Sequence, residues 1–145
     1  MTLRKVSLAL AFLFCITVGS ALAQGPMQTR INFTVNGPFE LKGTSVVLPG
    51  GDYVLFQIVP NDRHLFALYQ GSDLTHTPVA MIRTVRIYHD LGMLPDRTDM
   101  LMETDEGSPQ NYPVLEGWNV PGDYGWEVIS VTTNRNALSR YQTGR

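Results

Sequence analysis

The chain has 145 residues, 11 of them basic and 13 acidic, with 43% hydrophobic and 17% charged residues, a makeup that suits a folded domain and excludes a disordered, highly charged tail. Its formal net charge of −2 leaves no basic excess to grip a phosphate backbone, so nucleic acid is excluded as the expected partner. The single cysteine, Cys15, lies within the first segment of the chain.

That segment has the pattern of an export signal. Arg4 and Lys5 form a short positive region, residues 6–18 are almost unbroken in their apolar character, and Ala21-Leu22-Ala23 places small residues where a signal peptidase reads them. The apolar run falls short of the roughly 20 residues that span a bilayer, so cleavage before Gln24 is expected rather than a membrane anchor. The predicted organisation is a signal peptide at 1–23, a polar tail at 24–30, one domain at 31–133 and a loose tail at 134–145. Cys15 leaves with the signal, and the exported chain then has no disulfide, no thiolate metal ligand and no cysteine nucleophile. Lys42 becomes its only lysine. Localisation is expected to be periplasmic or extracellular, with no membrane association after cleavage.

Between the tails, apolar residues recur with period two or in short runs, and no helical repeat stands out. Ile31, Phe33 and Val35 alternate with Asn32 and Thr34, as in a strand with one wet face. Further strands are expected at 39–41, 44–48, 53–59, 65–69, 78–88, 100–104 and 126–133. Pro49-Gly50 suits the centre of a type II turn and predicts a hairpin between its flanking strands, with positive φ on Gly50. In the strand that follows, Val54, Phe56 and Ile58 form a fully apolar face. Tight closure of residues 70–77 pairs Tyr69 with Pro78, and hence His64 with Arg83. Residues 106–113 read as a loop. Seven to eight strands at this spacing predict a single all-β domain, an antiparallel β-sandwich with a small barrel as the alternative.

The sequence Phe33-Thr34-Val35, Pro38-Phe39 and then Leu48-Pro49-Gly50-Gly51-Asp52-Tyr53-Val54 resembles a group of short exported bacterial β-sandwich proteins of unknown function that carry a Leu-Pro-x-Gly-x-Tyr hairpin. The resemblance covers about 25 residues near the mature N-terminus. It implies the same fold and localisation and brings no catalytic residues.

No enzyme motif is present: none of Ser45, Ser72, Ser108, Ser130 and Ser139 sits in a nucleophile elbow, and Gly50-Gly51 lacks the Lys-Ser or Lys-Thr of a phosphate loop. His64, His76 and His89 match no compact ligand spacing. Asp96, Asp99, Glu103, Asp105 and Glu106 make an acidic segment without the ordering of a calcium loop. No metal or other cofactor is therefore expected. Tyr112, Trp118, Tyr124 and Trp126, interspersed with Asn111, Glu116, Asn119 and Asp123, are the candidate ligand-binding residues, because flat amphipathic rings stack on sugars or anchor a protein partner. Core packing of the two tryptophans is the competing reading. The expected function is a non-catalytic binding or envelope-associated module whose partner is an envelope or extracellular protein or glycan. The alternatives are a small metal-dependent or hydrolytic enzyme built on His64, His89 and the acidic segment, and a structural subunit that assembles through the strand at 31–35.

Overall fold

A computed structural model describes residues 28–60, 62–88, 95–104, 111–122 and 125–142. Residues 1–23, where an export signal was expected, lie outside these residues, as do His89, Asp105, Glu106 and Tyr124. The domain is all-β: β1 (Arg30–Val35), β2 (Phe39–Leu41), β3 (Val47–Leu48), β4 (Gly51–Gln57), β5 (Leu65–Gln70), β6 (Ala80–Ile87), β7 (Asp99–Thr104), β8 (Pro113–Asn119) and β9 (Gly125–Thr133), followed by a helix, α1 (Arg135–Gln142). The strands form one hydrogen-bonded sheet in the order β1-β4-β5-β6-β9-β8-β2-β3, with β7 added to β8 and no closure into a barrel. Every pair is antiparallel except β2 with β8, two strands far enough apart in sequence to escape the constraint of a short hairpin.

Contacts between rings show how this sheet folds over on itself. Phe39 of β2 meets Tyr53 of β4 edge to face at 5.2 Å, and Phe66 of β5 meets Trp118 of β8 at 5.0 Å, although neither pair of strands is adjacent in the ladder. The β1-β4-β5-β6 half therefore lies across the half built on β8, and apolar side chains fill the space between, as in a sandwich. Burying rings of this size contributes roughly 1.5–3 kcal/mol each, which makes Trp118, Tyr53, Phe39 and Phe66, all less than 2% exposed, the centre of the core.

The turn at Pro49-Gly50 differs from expectation. β3 pairs with β2 and β4 pairs with β1 and β5, so the chain crosses between opposite ends of the sheet path instead of folding back as a hairpin. The positive φ, 147°, falls on Gly51 rather than on Gly50. Gly50 is needed for space, since a Cβ there would lie 2.9 Å from the Gly37 nitrogen and 3.0 Å from the Val35 oxygen.

β4 also presents the opposite face to the one its apolar pattern suggests. Tyr53, Leu55 and Gln57 point into the core, at 1%, 0% and 1% exposure, while Val54 and Phe56 lie on the other side of the sheet. Tyr53 and Gln57 suit the interior because their polar ends reach backbone at the ends of the strand. The Tyr53 hydroxyl donates to the Pro49 oxygen at 2.6 Å. The Gln57 amide accepts from the Thr29 nitrogen at 3.0 Å and donates to the oxygens of Val59 and Asp62 at 2.9 and 3.2 Å. A buried polar group bonded in this way avoids the desolvation cost that would otherwise keep it outside.

Leu65 pairs with Arg83 and Leu68 with Ala80, so the β5–β6 register is one residue longer than tight closure of residues 70–77 predicts. His64 accordingly meets Thr84, whose nitrogen donates to the His64 oxygen at 2.9 Å. Gly71, at a φ of 78°, turns the chain out of β5 and lengthens the connection. At the other end, residues 135–142 form α1 where a loose tail was expected. Asn134 caps it: its side-chain oxygen accepts from the nitrogens of Asn136 and Ala137 at 3.1 and 3.4 Å, and Ala137 and Leu138 dock into the core at 5% and 8% exposure.

Candidate functional site

The two tryptophans of the aromatic cluster expected as a binding face are core residues. Trp118 and Trp126 face each other across β8 and β9 and are 0% and 3% exposed, with Phe66 packed against both. Buried rings have no free face to offer a sugar or a partner, so both tryptophans belong to the core. Tyr112 is half-buried just before β8, and Tyr124 lies outside the described residues. No strand was expected between 104 and 126, yet residues 113–119 form a central strand, β8.

The irregularity that hides this strand in the sequence also builds a surface site. Leu101 pairs with Gly117 and Met102 with Leu115, which leaves Glu116 as the extra residue of a β-bulge. A bulge turns its side chain out of the regular alternation. Alongside, the parallel register of β2 with β8 sets Glu40 against Val114 and Leu41 against Leu115, so that Lys42, the next residue, arrives level with Glu116. On the far side β9 sets Glu127 against Gly117. Lys42 is thus drawn between two carboxylates from two further strands: it pairs closely with Glu116 and lies 3.2 Å from Glu127. The hydrogen bond to Glu116 is the main cause of a Lys42 pKa held above its ordinary 10.5; desolvation opposes it, and the hydrogen bond to Glu127 adds a smaller upward contribution. At 32%, 26% and 51% side-chain exposure the three groups remain in contact with water, so the network contributes at most about 1 kcal/mol to folding.

A groove of about 650 Å³ opens beside this network, lined by Glu40, Lys42, Thr44, Glu103, Val114 and Glu116. A second depression of about 540 Å³ shares Glu103 and Glu116 with it and continues past Glu127 to Ile87, Met100, Leu101 and Met102. Four glutamates and one lysine thus line a surface that is polar at the β2 end and apolar at the β6 end. The negative excess favours cationic groups, and the thioether and branched side chains beside it are adaptable apolar contacts. In the sequence Lys42 stands out as the only lysine after Lys5 and Glu103 as part of the acidic segment, but no linear spacing connects them with Glu116 and Glu127.

The histidines are placed differently. The Nδ1 of His64 lies 3.1 Å from the Thr84 oxygen, and its ring meets the edge of Trp126 at 5.9 Å. His76 lies 3.2 Å from Asp73, whose carboxyl is held below its usual range chiefly by the Thr75 backbone N–H. Asp99 pairs with Arg97 at 2.9 Å. Among the described residues no group of three or more histidine, cysteine, aspartate or glutamate side chains is arranged to hold a metal ion. No protein-family model, curated protein or solved structure matches the chain.

Proposed function

We propose that this chain is an exported, non-catalytic binding module, and that its partner is an envelope or extracellular protein that presents a basic and apolar extended segment to the groove beside Lys42. Export rests on Arg4, Lys5, the apolar residues 6–18 and Ala21-Leu22-Ala23. The observation that carries the binding reading is the placement of Glu40, Glu103, Glu116 and Glu127 along a surface with a single lysine, continuous with Ile87, Met100, Leu101 and Met102. A protein partner is favoured over a glycan because the tryptophans that would have stacked on sugar rings are buried. Lys42 holds the carboxylates of Glu116 and Glu127 in position, and arginine or lysine from the partner would meet their outer oxygens and those of Glu103.

The test uses a short peptide of alternating arginine and leucine, with a control in which citrulline replaces arginine. Combining Glu103→Gln with Glu127→Gln is expected to weaken binding of the arginine peptide about 3- to 10-fold, in line with two partly exposed charge pairs, while loss of the Lys42–Glu127 pair costs no more than about 1 kcal/mol of stability. Equal binding of both peptides, or indifference to the double substitution, would refute the proposal.

A further inference from the structure

The sheet path ends at β1 on one side and at β3 on the other, and β7 has a partner only on β8 among the described residues. Natural sheets blunt such edges with short strands, charges, prolines or bulges. β3 has two residues. β7 carries Asp99 and Glu103, which repel a copy of themselves, and it pairs across a bulge. β1 carries only one of these devices, the charge of Arg30 at its first position. It is six residues long, contains neither lysine nor proline, and pairs with β4 in unbroken register from Arg30 opposite Phe56 to Val35 opposite Gly51.

The hydrogen-bonding phase of β1 follows from one contact. The Gln57 nitrogen donates to the Thr29 oxygen at 2.9 Å, so residues 29, 31, 33 and 35 direct their backbone groups toward β4. Arg30, Asn32 and Thr34 therefore direct theirs away, to the open edge. We infer that this edge pairs with the same edge of a second copy of the chain, antiparallel about a two-fold axis at Asn32. Arg30 then faces Thr34 of the other copy, Asn32 faces its own counterpart, and each facing pair exchanges two backbone hydrogen bonds. Ile31 and Phe33 come opposite one another on the core side, extending a face that is already apolar.

The charges on the outer face are complementary under the same operation. The Thr34 hydroxyl donates to Asp52 at 2.7 Å, which marks Asp52 as the next group inward from Thr34. Arg30 of the second copy sits two strand spacings from Asp52, about 10 Å between Cα atoms and within the combined reach of the two side chains. The two-fold axis makes this ion pair twice. Arg30 keeps donors for it while bonding within its own chain to Asn32 at 3.1 Å and to the Ser72 oxygen at 3.0 Å. The association closes on itself, since each copy uses its β1 edge once, and it yields a dimer rather than a fibre.

Sedimentation equilibrium of the purified chain from micromolar to near-millimolar concentration tests this. The expected result is a monomer–dimer equilibrium. Asn32→Pro, which removes a backbone donor from the open edge and none from the β1–β4 ladder, should abolish the dimer with the circular dichroism spectrum retained. Arg30→Asp and Asp52→Arg should each weaken association about 10-fold or more, and the two together should restore it. A monomer throughout the range overturns the inference, as does a dimer indifferent to Asn32→Pro or a charge swap that fails to restore pairing.

Discussion

Gly117 is the position where the fold has least room, and Gly117→Ala is the substitution whose cost follows most directly from geometry. A Cβ at this position would fall inside the contact radius of the Trp126 carbonyl oxygen, 3.1 Å from that carbonyl carbon and 3.2 Å from the Glu127 Cα. Carbon atoms settle no closer than about 3.5 Å, and the atoms in the way are backbone, which cannot rotate aside. β8 and β9 must therefore separate where Gly117 pairs with Glu127, next to the pairing of Trp118 with Trp126, and the movement pulls Trp118 from its 5.0 Å contact with Phe66. The expected loss is about 3 kcal/mol, at the upper end of the range for overpacking. For a domain of this size that lowers the melting temperature by roughly 10–15 °C. Gly37→Ala is the matched control: nothing lies within 4 Å of a Cβ at that site, and the change should stay within about 0.5 kcal/mol. Urea unfolding and thermal melting of both variants decide the matter. If Gly117→Ala lies within 0.5 kcal/mol of the parent protein, the β8–β9 register or the close approach is wrong.

Further expectations follow from the polar contacts. Gln57→Leu leaves the Thr29 nitrogen and the oxygens of Val59 and Asp62 without their side-chain partner and should cost about 2–3 kcal/mol in urea unfolding, despite the apolar replacement. Asn134→Ala removes the cap of α1 and should cost about 1 kcal/mol, with faster amide exchange at Ala137 and Leu138. Because its neighbours raise the Lys42 pKa, the pairing with Glu116 and Glu127 is at full strength below 10.5 and fades as the pH climbs through the elevated value. The stability difference between the parent protein and Lys42→Met should therefore shrink at strongly alkaline pH, measured as a difference in melting so that tyrosine titration cancels.

Elements with one face on the core and one in water are the ones that local pattern reveals. β1 alternates cleanly, and the strand that begins at Trp126 is found within one residue, because burial on a single face imposes period two. β4 misleads for the opposite reason: Val54 and Leu55 are both buried, so apolarity does not distinguish the faces, and the core side is chosen by the bonds that Tyr53 and Gln57 make to distant backbone. β8 is hidden by its own bulge. Leu115 and Trp118 both point inward but stand three apart, a spacing no regular strand produces, and Pro113 falls in the loop expected at 106–113. α1 buries only Ala137 and Leu138 among its described side chains, too few to create a visible repeat, and the tertiary docking of those two supports what propensity does not. The groove was the least legible feature, since Lys42, Glu116 and Glu127 meet only through the registers of β2 with β8 and of β8 with β9.

Whether the acidic groove is the binding face is decided by amide NMR of the isotope-labelled chain titrated with the arginine–leucine peptide. Saturable shifts are expected at Lys42, Met102, Glu103, Glu116 and Glu127, weakening with added salt and lost with the citrulline control. Shifts centred elsewhere, or none at peptide concentrations that saturate ordinary peptide-binding modules, would contradict that reading.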